Sequence, residues 1–254
     1  MARLIAEDRD LRMIVCHRHR FIFIKTRKTA GSSIEVALSR LCGPGDIVTH
    51  LSVKRGEEEL RHREGGHGPS CDRKPILAHR GFQEWRRLLT RGRRARWKQH
   101  TTARKLRQLL PATVWDGYLK ITAERNPWDR AMSRYWWMKI RREEQGQTDF
   151  PSLSEYLVWM ENNRPRWITN WGHYTIDDKL AVDRVLMYER LAPGLSDLAA
   201  TLGVEADQLK LPEQRLKGGF RKDPRSYRDV LSQQDRDLIS RVCRNEIETF
   251  GYEF

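Results

Sequence analysis

Short apolar runs alternate with polar turns along the first quarter of the chain. Arg12 to Cys16 and Phe21 to Lys25 are rich in β-branched and aromatic residues, and polar His17-Arg18-His19-Arg20 separates them. That pattern predicts a β-hairpin. Ser32 to Leu41 then takes on a helical period. Ser32 followed three residues later by Glu35 reads as a capping box, and Gly43-Pro44-Gly45 supplies the stop. Periodicity is weak from Asp46 to about Arg96, where Gly65-Gly66-His67-Gly68-Pro69 predicts an exposed, poorly ordered loop. Further on, helices are predicted over Thr102 to Leu110, Pro127 to Arg142, Ser154 to Asn162 and Gly194 to Gly203. Tyr118 to Thr122 and Arg184 to Tyr188 read as core strands, and Ser232 to Phe250 as one closing amphipathic helix.

Strands alternating with helices predict an α/β fold, with a central, mainly parallel β-sheet flanked by helices in three layers. No internal repeat or low-complexity linker divides the chain. Residues 1–254 are therefore expected to form a single domain, with 46–96 a variable, partly irregular insertion.

Two strand–loop–helix segments, nearly a hundred residues apart, carry anion-binding chemistry. In the first, Phe21 to Lys25 runs into Thr26-Arg27-Lys28-Thr29-Ala30-Gly31-Ser32-Ser33. A strand feeding a helix N-terminus aims several backbone N–H groups at one point, where the helix dipole favours phosphate or sulfate. Lys28 adds a mobile charge, Gly31 lets backbone approach closely, and Thr29, Ser32 and Ser33 add hydroxyl donors. The task is that of a P-loop, but the GxxxxGK[ST] order is absent, because Lys28 precedes Gly31. The second segment runs from Tyr118–Thr122 into Ala123-Glu124-Arg125-Asn126-Pro127-Trp128-Asp129-Arg130. Arg125 at the strand end is expected to point at a ligand, with Ser133 facing it about two turns into the helix. Trp128 and Asp129 are expected to fix the loop, and Tyr135, Trp136 and Trp137 to serve as core more than as a platform. One such segment holds one phosphate; two fit a nucleotide that is anionic at both ends.

Bulk properties narrow the picture. The formal charge of +14 suits an anionic ligand, since guanidinium groups bind phosphate and sulfate oxygens in pairs, although a solvated Arg-rich surface accounts for part of the excess. No apolar run approaches the roughly 20 residues of a membrane span. The start lacks a secretory pattern, and the four scattered cysteines suit reduced thiols, so a soluble, cytoplasmic protein is expected. His62, His67 and Cys71 show no usual zinc spacing, and no metal is expected.

With both motifs in view, Lys28-Thr29-Ala30-Gly31-Ser32-Ser33 resembles the 5′-phosphosulfate loop of sulfotransferases that use 3′-phosphoadenosine 5′-phosphosulfate (PAPS). Arg125-Asn126-Pro127-Trp128-Asp129-Arg130 with Ser133 resembles their 3′-phosphate motif. The match is closest to the carbohydrate-type family, in a compact bacterial form. It extends through His100-Thr101-Thr102-Ala103, Tyr174-Thr175-Ile176-Asp177, Tyr188-Glu189-Arg190-Leu191, Tyr227-Arg228 and Phe250-Gly251-Tyr252-Glu253-Phe254.

The resemblance implies sulfuryl transfer from PAPS to a hydroxyl, or less readily an amine, of a carbohydrate or other small acceptor, leaving the 3′,5′-bisphosphate (PAP). It implies that Lys28 neutralises the departing phosphate, that the loop around Arg27 and the backbone from Ala30 to Ser33 hold the 5′ end, and that Arg125 and Ser133 hold the 3′-phosphate. Lys217 and Arg221, in the basic Lys217-Gly218-Gly219-Phe220-Arg221-Lys222 loop, resemble the segment that returns to that phosphate, although the loop also reads as solvated. Histidine suits a general base, and His100 is the first choice ahead of His79 and Glu35; a helix-start histidine satisfied by backbone is its alternative. Trp159, Trp167, Trp171 and Tyr174 read either as core or as an acceptor groove, and the polar stretch with Asn170 and His173 favours the groove for Trp167 and Trp171.

Three rivals stand beside this reading. Arg86 to Arg107, with Trp85 and Trp97 interspersed, has the composition of a nucleic-acid-binding surface, although no nucleic-acid partner is expected. A nucleotide kinase would share the anion cradle but lacks the P-loop order here. An inactive binding protein on the same fold would not need Lys28, Arg125 and Ser133 together.

Overall fold

The computed structural model describes residues 13–71, 82–92, 101–213 and 222–254. His79, His100, Lys217 and Arg221 lie outside the described residues. The chain opens with β1 (Met13–Cys16), β2 (Phe21–Ile24), α1 (Gly31–Ser39), β3 (Ile47–Val48), α2 (Glu57–Arg63) and α3 (Phe82–Arg91). It continues through α4 (Ala103–Leu109), α5 (Ala112–Gly117), β4 (Leu119–Glu124), α6 (Pro127–Glu143), α7 (Leu153–Asn163) and α8 (Trp171–Tyr174). A small β5–β6 hairpin (Thr175–Ile176 and Lys179–Leu180) precedes β7 (Arg184–Met187) and α9 (Leu191–Leu202). The last elements are α10 (Tyr227–Val230), α11 (Gln233–Val242) and α12 (Arg244–Phe250).

Five strands form one sheet in the order β3-β1-β2-β4-β7. Side-chain alternation sends Phe21 and Phe23 to one face, against Ile34 and Leu38 of α1 and Leu195 and Leu198 of α9. Ile22 and Ile24 go to the other face, against Ala103 and Leu106 of α4 and Trp115 of α5. Helices thus cover both faces, as expected for an α/β fold. The expectation of a mainly parallel sheet needs correcting. β2–β4 and β4–β7 are parallel, but β1 pairs antiparallel with both β2 and β3. The tight turn at 17–20 dictates the β1–β2 pairing, because parallel neighbours need a long crossover.

Other differences have local causes. The closing helix is two helices, broken at Cys243, where φ −106° and ψ 23° leave the helical region. The segment at 65–69 is packed instead of loose: Gly66 and His67 donate backbone bonds to Arg61 and Ser39 at 2.8 and 2.9 Å, and a Cβ on Gly66 would lie 2.3 Å from Ser39 Oγ. Within 46–96, β3 joins the edge of the main sheet and α2 packs beside α1.

One buried polar network ties the parallel half of the sheet to the C-terminal helices. Arg130 of α6, 3% exposed, hydrogen-bonds Glu124 at the end of β4 through Nη1. Its Nη2 donates to the Ile168 carbonyl at 3.0 Å and to Glu246 Oε1 at 3.2 Å. Glu246 also accepts from Thr169 Oγ1 and from the backbone of Asn170 and Trp171, and Tyr174 donates to Glu124 at 2.9 Å. Burial pushes the Glu124 carboxyl above its usual range, against the pull of Arg130. Burial works most strongly against the Arg130 charge, but Glu124, Cys243, Glu246 and Tyr174 together outweigh it and hold the proton more tightly than in water. Tyr174 is therefore a core residue and not a groove wall.

Removing one partner of such a pair strands the others. Arg130→Met is expected to cost about 3–5 kcal/mol of unfolding free energy in urea titration; a loss below about 1 kcal/mol would contradict this picture.

Candidate active site

Since β2 and β4 are parallel neighbours, with Ile24 opposite Thr122, their C-terminal ends deliver two loops side by side. Strand spacing in a sheet is about 4.8 Å, so the loops meet. Arg125 Nη1 donates to the Lys28 carbonyl at 3.3 Å. Thr26 Oγ1 donates to the Ala123 carbonyl, a second tie between the segments.

The first loop is backbone-driven. Lys28 (φ 61°) and Ala30 (φ 58°, ψ 21°) both occupy the left-handed region, which non-glycine residues seldom enter and which concentrates at functional sites. Ala30 is the residue from which α1 starts, and no side chain caps its first turn. The predicted Ser32–Glu35 capping box does not form. Ser32 instead accepts from buried Lys25 Nζ at 3.0 Å, and Glu35 takes the same ammonium at 2.5 Å. Glu35 is fully enclosed in that ion pair. Thr29 is likewise enclosed, its hydroxyl 2.9 Å from that of Thr26. Arg27, Lys28, Ala30 and Ser33 keep partial exposure, so the accessible lining is one Arg, one Lys and the first turn of backbone.

Gly31 has a steric reason beyond its turn. A Cβ there would stand 2.7 Å from Lys25 Cγ and 2.8 Å from Cε, inside the path of the lysine stem. Lys25 and its Glu35 partner were missed as a structural pair; the apolar strand ending in a lone Lys was the available signal.

In the second loop Asn126 caps α6, accepting from the N–H groups of Trp128 and Asp129 at 3.1 and 3.3 Å. Its own N–H donates to Glu189 at 2.6 Å, and its Nδ2 reaches Tyr227 Oη and the Glu253 carbonyl. Trp128 is buried, and its ring meets Phe254 edge-on at 5.5 Å. Asp129 grips Arg125 through Nε and Nη2 at 2.9 and 2.6 Å, while Tyr188 lies under that guanidinium at 4.0 Å. Trp128 and Asp129 thus fix the loop, as expected.

Positions four apart on a helix share a face, so Asp129, Ser133 and Trp137 form one stripe on α6. Arg125 sits at its start, held by Asp129, and Lys28 Nζ lies 5.4 Å from the Trp137 ring centroid. Ser133, partly exposed, lies between Asp129 and Trp137 on that stripe. Tyr135 is buried and Trp136 packs beside the same apolar cluster, as core, whereas Trp137 lies beside Lys28. Trp167 and Trp171 are half-buried, and Trp171 Nε1 donates to Asp178 at 3.3 Å.

Among the described residues, the one grouping with metal-ligand chemistry is Cys16, Cys42 and Asp46. Asp46 already accepts from the His17 and Gly43 N–H groups at 2.6 and 2.8 Å, so the cluster ties β1 to the turn after α1.

Gly31→Ala is expected to destabilise the protein by about 1–3 kcal/mol in urea titration, by overpacking against Lys25. In a Lys25→Ala background the extra cost should largely vanish; full additivity would show that Lys25 is not what Gly31 makes room for.

A family model described as "Sulfotransferase family" matches residues 11–253. No curated protein and no solved structure matches the chain. Among the described residues, no helix is long and apolar enough to cross a membrane. The match runs through both loops and the C-terminal segments that brace them: this chain belongs to the sulfotransferase family.

Proposed function

We propose that this protein moves a sulfuryl group from PAPS to a hydroxyl of a carbohydrate or other small acceptor, and less readily to an amine. The observation that supports it best is the meeting of the two loops, Arg125 Nη1 to the Lys28 carbonyl at 3.3 Å. A ligand with anionic groups at both ends can be gripped there as one body. The strand–loop–helix from β2 into α1 then acts as a P-loop-like cradle for the 5′ end. Its uncapped first turn offers the N–H groups of Gly31 to Ser33. Arg125 and Ser133 bind the 3′-phosphate, Arg125 already oriented by Asp129 and Tyr188.

Sulfuryl transfer resembles phosphoryl transfer, with in-line attack and charge spread over equatorial oxygens. The bond from sulfur to the bridging phosphate oxygen breaks as the bond to the acceptor oxygen forms. The acceptor proton passes to a base, and the departing phosphate takes up the negative charge. Lys28 stabilises that charge, so its contribution grows toward the transition state. His100 is the base in this reading. Lys and helix dipole supply the positive field, so no metal enters the scheme.

Calorimetric titration with PAP tests the grip. Micromolar binding is expected, weakened about ten- to hundredfold by Arg125→Ala, equivalent to ~1.5–3 kcal/mol for a charged hydrogen bond. Lys28→Ala should reduce kcat far more than it weakens PAP. AMP should bind much more weakly than PAP; equal affinity for the two would overturn the assignment.

A further inference from the structure

At the end of the sheet away from the two loops, three side chains of metal-ligand type converge. Cys16 closes β1 and pairs with Phe21, the first residue of β2, whereas the loop carrying Lys28 follows the last. Cys42 stands just past α1, and Asp46 lies in the turn that leads into β3. Cys16 and Asp46 are buried, and Cys42 is partly exposed. Cys16 Sγ lies 3.5 Å from Asp46 Oδ2, and the two sulfurs are in hydrogen-bond contact. One donor atom from each residue falls within 4.8 Å of the other two.

The turn itself needs only the carboxylate. Asp46 accepts from His17 N–H through Oδ1 and from Gly43 N–H through Oδ2, which fixes its plane and leaves a lone pair on each oxygen. The thiols add little to that. An S–H is a weak donor, and beside Cys42 the Cys16 thiol meets only the Leu41 carbonyl and Asp46, both at 3.5 Å. A zinc-class ion takes sulfur at about 2.3 Å and carboxylate oxygen at about 2.0–2.2 Å, so two such donors on a tetrahedron stand about 3.5 Å apart. Cys16 and Asp46 already have that spacing.

We infer that Cys16, Cys42 and Asp46 bind one thiophilic divalent cation, with Zn²⁺ the fitting case and water in the fourth position on the Cys42 side. Two sulfurs in the set disfavour Mg²⁺ and Ca²⁺, which take oxygen. On binding, each thiol gives up its proton to solvent, and the weak S–H bonds are exchanged for metal–thiolate bonds. Two thiolates and a carboxylate then exceed the charge of the ion. Buried Arg61, held by Glu58 through Nη1, lies within electrostatic reach of Cys42 and offsets part of that excess. The ion is structural: it joins β1 to the far end of α1 and so closes β2, the turn at 26–33 and α1 into one loop. It takes no part in the transfer chemistry, and the inference stands apart from the donor reading.

The test uses the full reduced chain, stripped of metal with a chelator, and Co²⁺ as the optical probe for Zn²⁺. One Co²⁺ per chain is expected, with a near-ultraviolet sulfur-to-cobalt band and visible bands of tetrahedral coordination. One equivalent of Zn²⁺ should abolish them and raise the melting temperature. Cys42→Ser and Cys42→Ala, with folds checked by circular dichroism, should lose most of the sulfur band. Both should weaken Zn²⁺ by about a hundredfold or more, since even an outer partner of a ligand is worth about 10–100-fold. Asp46→Asn should weaken it at least tenfold. Cys71→Ser should change nothing, because that thiol faces the Pro44 carbonyl at 3.7 Å. No sulfur band in the parent, a full band in both Cys42 variants, Zn²⁺ affinity unchanged by Asp46→Asn, or a band lost with Cys71→Ser would overturn the inference. So would a reduced chain that binds no metal but forms a Cys16–Cys42 disulfide with oxidised glutathione, which would make the pair a redox couple.

Discussion

The buried guanidinium of Arg130 is the constraint on which the site depends. It joins the last residue of β4 to α12 through Glu124 and Glu246, and through the Ile168 carbonyl it reaches the segment that carries Trp167. Asn170, fixed by its N–H on Glu246, turns its amide to the Arg27 backbone, accepting from Arg27 N and donating to Arg27 O, both at 3.1 Å. The loop between β2 and α1 is therefore positioned from the far end of the chain. Charges enclosed in a low-dielectric interior tolerate little displacement before attraction fails to cover their lost hydration. A network of this kind gives precision more than stability. That suits the sulfuryl transfer proposed above, in which catalysis comes from placing charge.

The same logic explains the ordering of positive groups. The cations near the two loops differ in their counterparts. Lys25 is paired with Glu35 and holds the base of the loop. Arg130 is paired twice and holds the frame. Arg125 is oriented by Asp129 yet reaches the first loop, Lys28 rests over Trp137, and Arg27 and Arg134 share the Trp167 indole.

Local chemistry made much of this legible from residues. The hairpin, the strand at 119–124, Pro127 at the start of α6 and the capping of α4 by Thr102 follow from period, turn length and cap preference, which act within a few residues. The two strand–loop–helix turns, from β2 into α1 and from β4 into α6, were readable for the same reason. Long-range partners were not. Ser32 and Glu35 have the spacing of a capping box, but a buried ammonium seven positions back competes for both and wins. Trp137 looks like its core neighbours Tyr135 and Trp136 until the loop that carries Lys28 is laid across it. The break at Cys243 is invisible in the apolar period of α11 and α12, which continues through it. Glu246 is a surface residue by its sequence setting and is buried because Arg130 needs a second carboxylate.

The central claim is that one nucleotide bridges the ends of β2 and β4. A crystal structure of the protein with PAP tests it most directly. The account expects the 5′-phosphate within hydrogen-bond distance of the Gly31–Ser33 backbone and Lys28, and the 3′-phosphate on Arg125 and Ser133 of the same molecule. A nucleotide held elsewhere, or touching one loop while its other phosphate faces solvent, would contradict it.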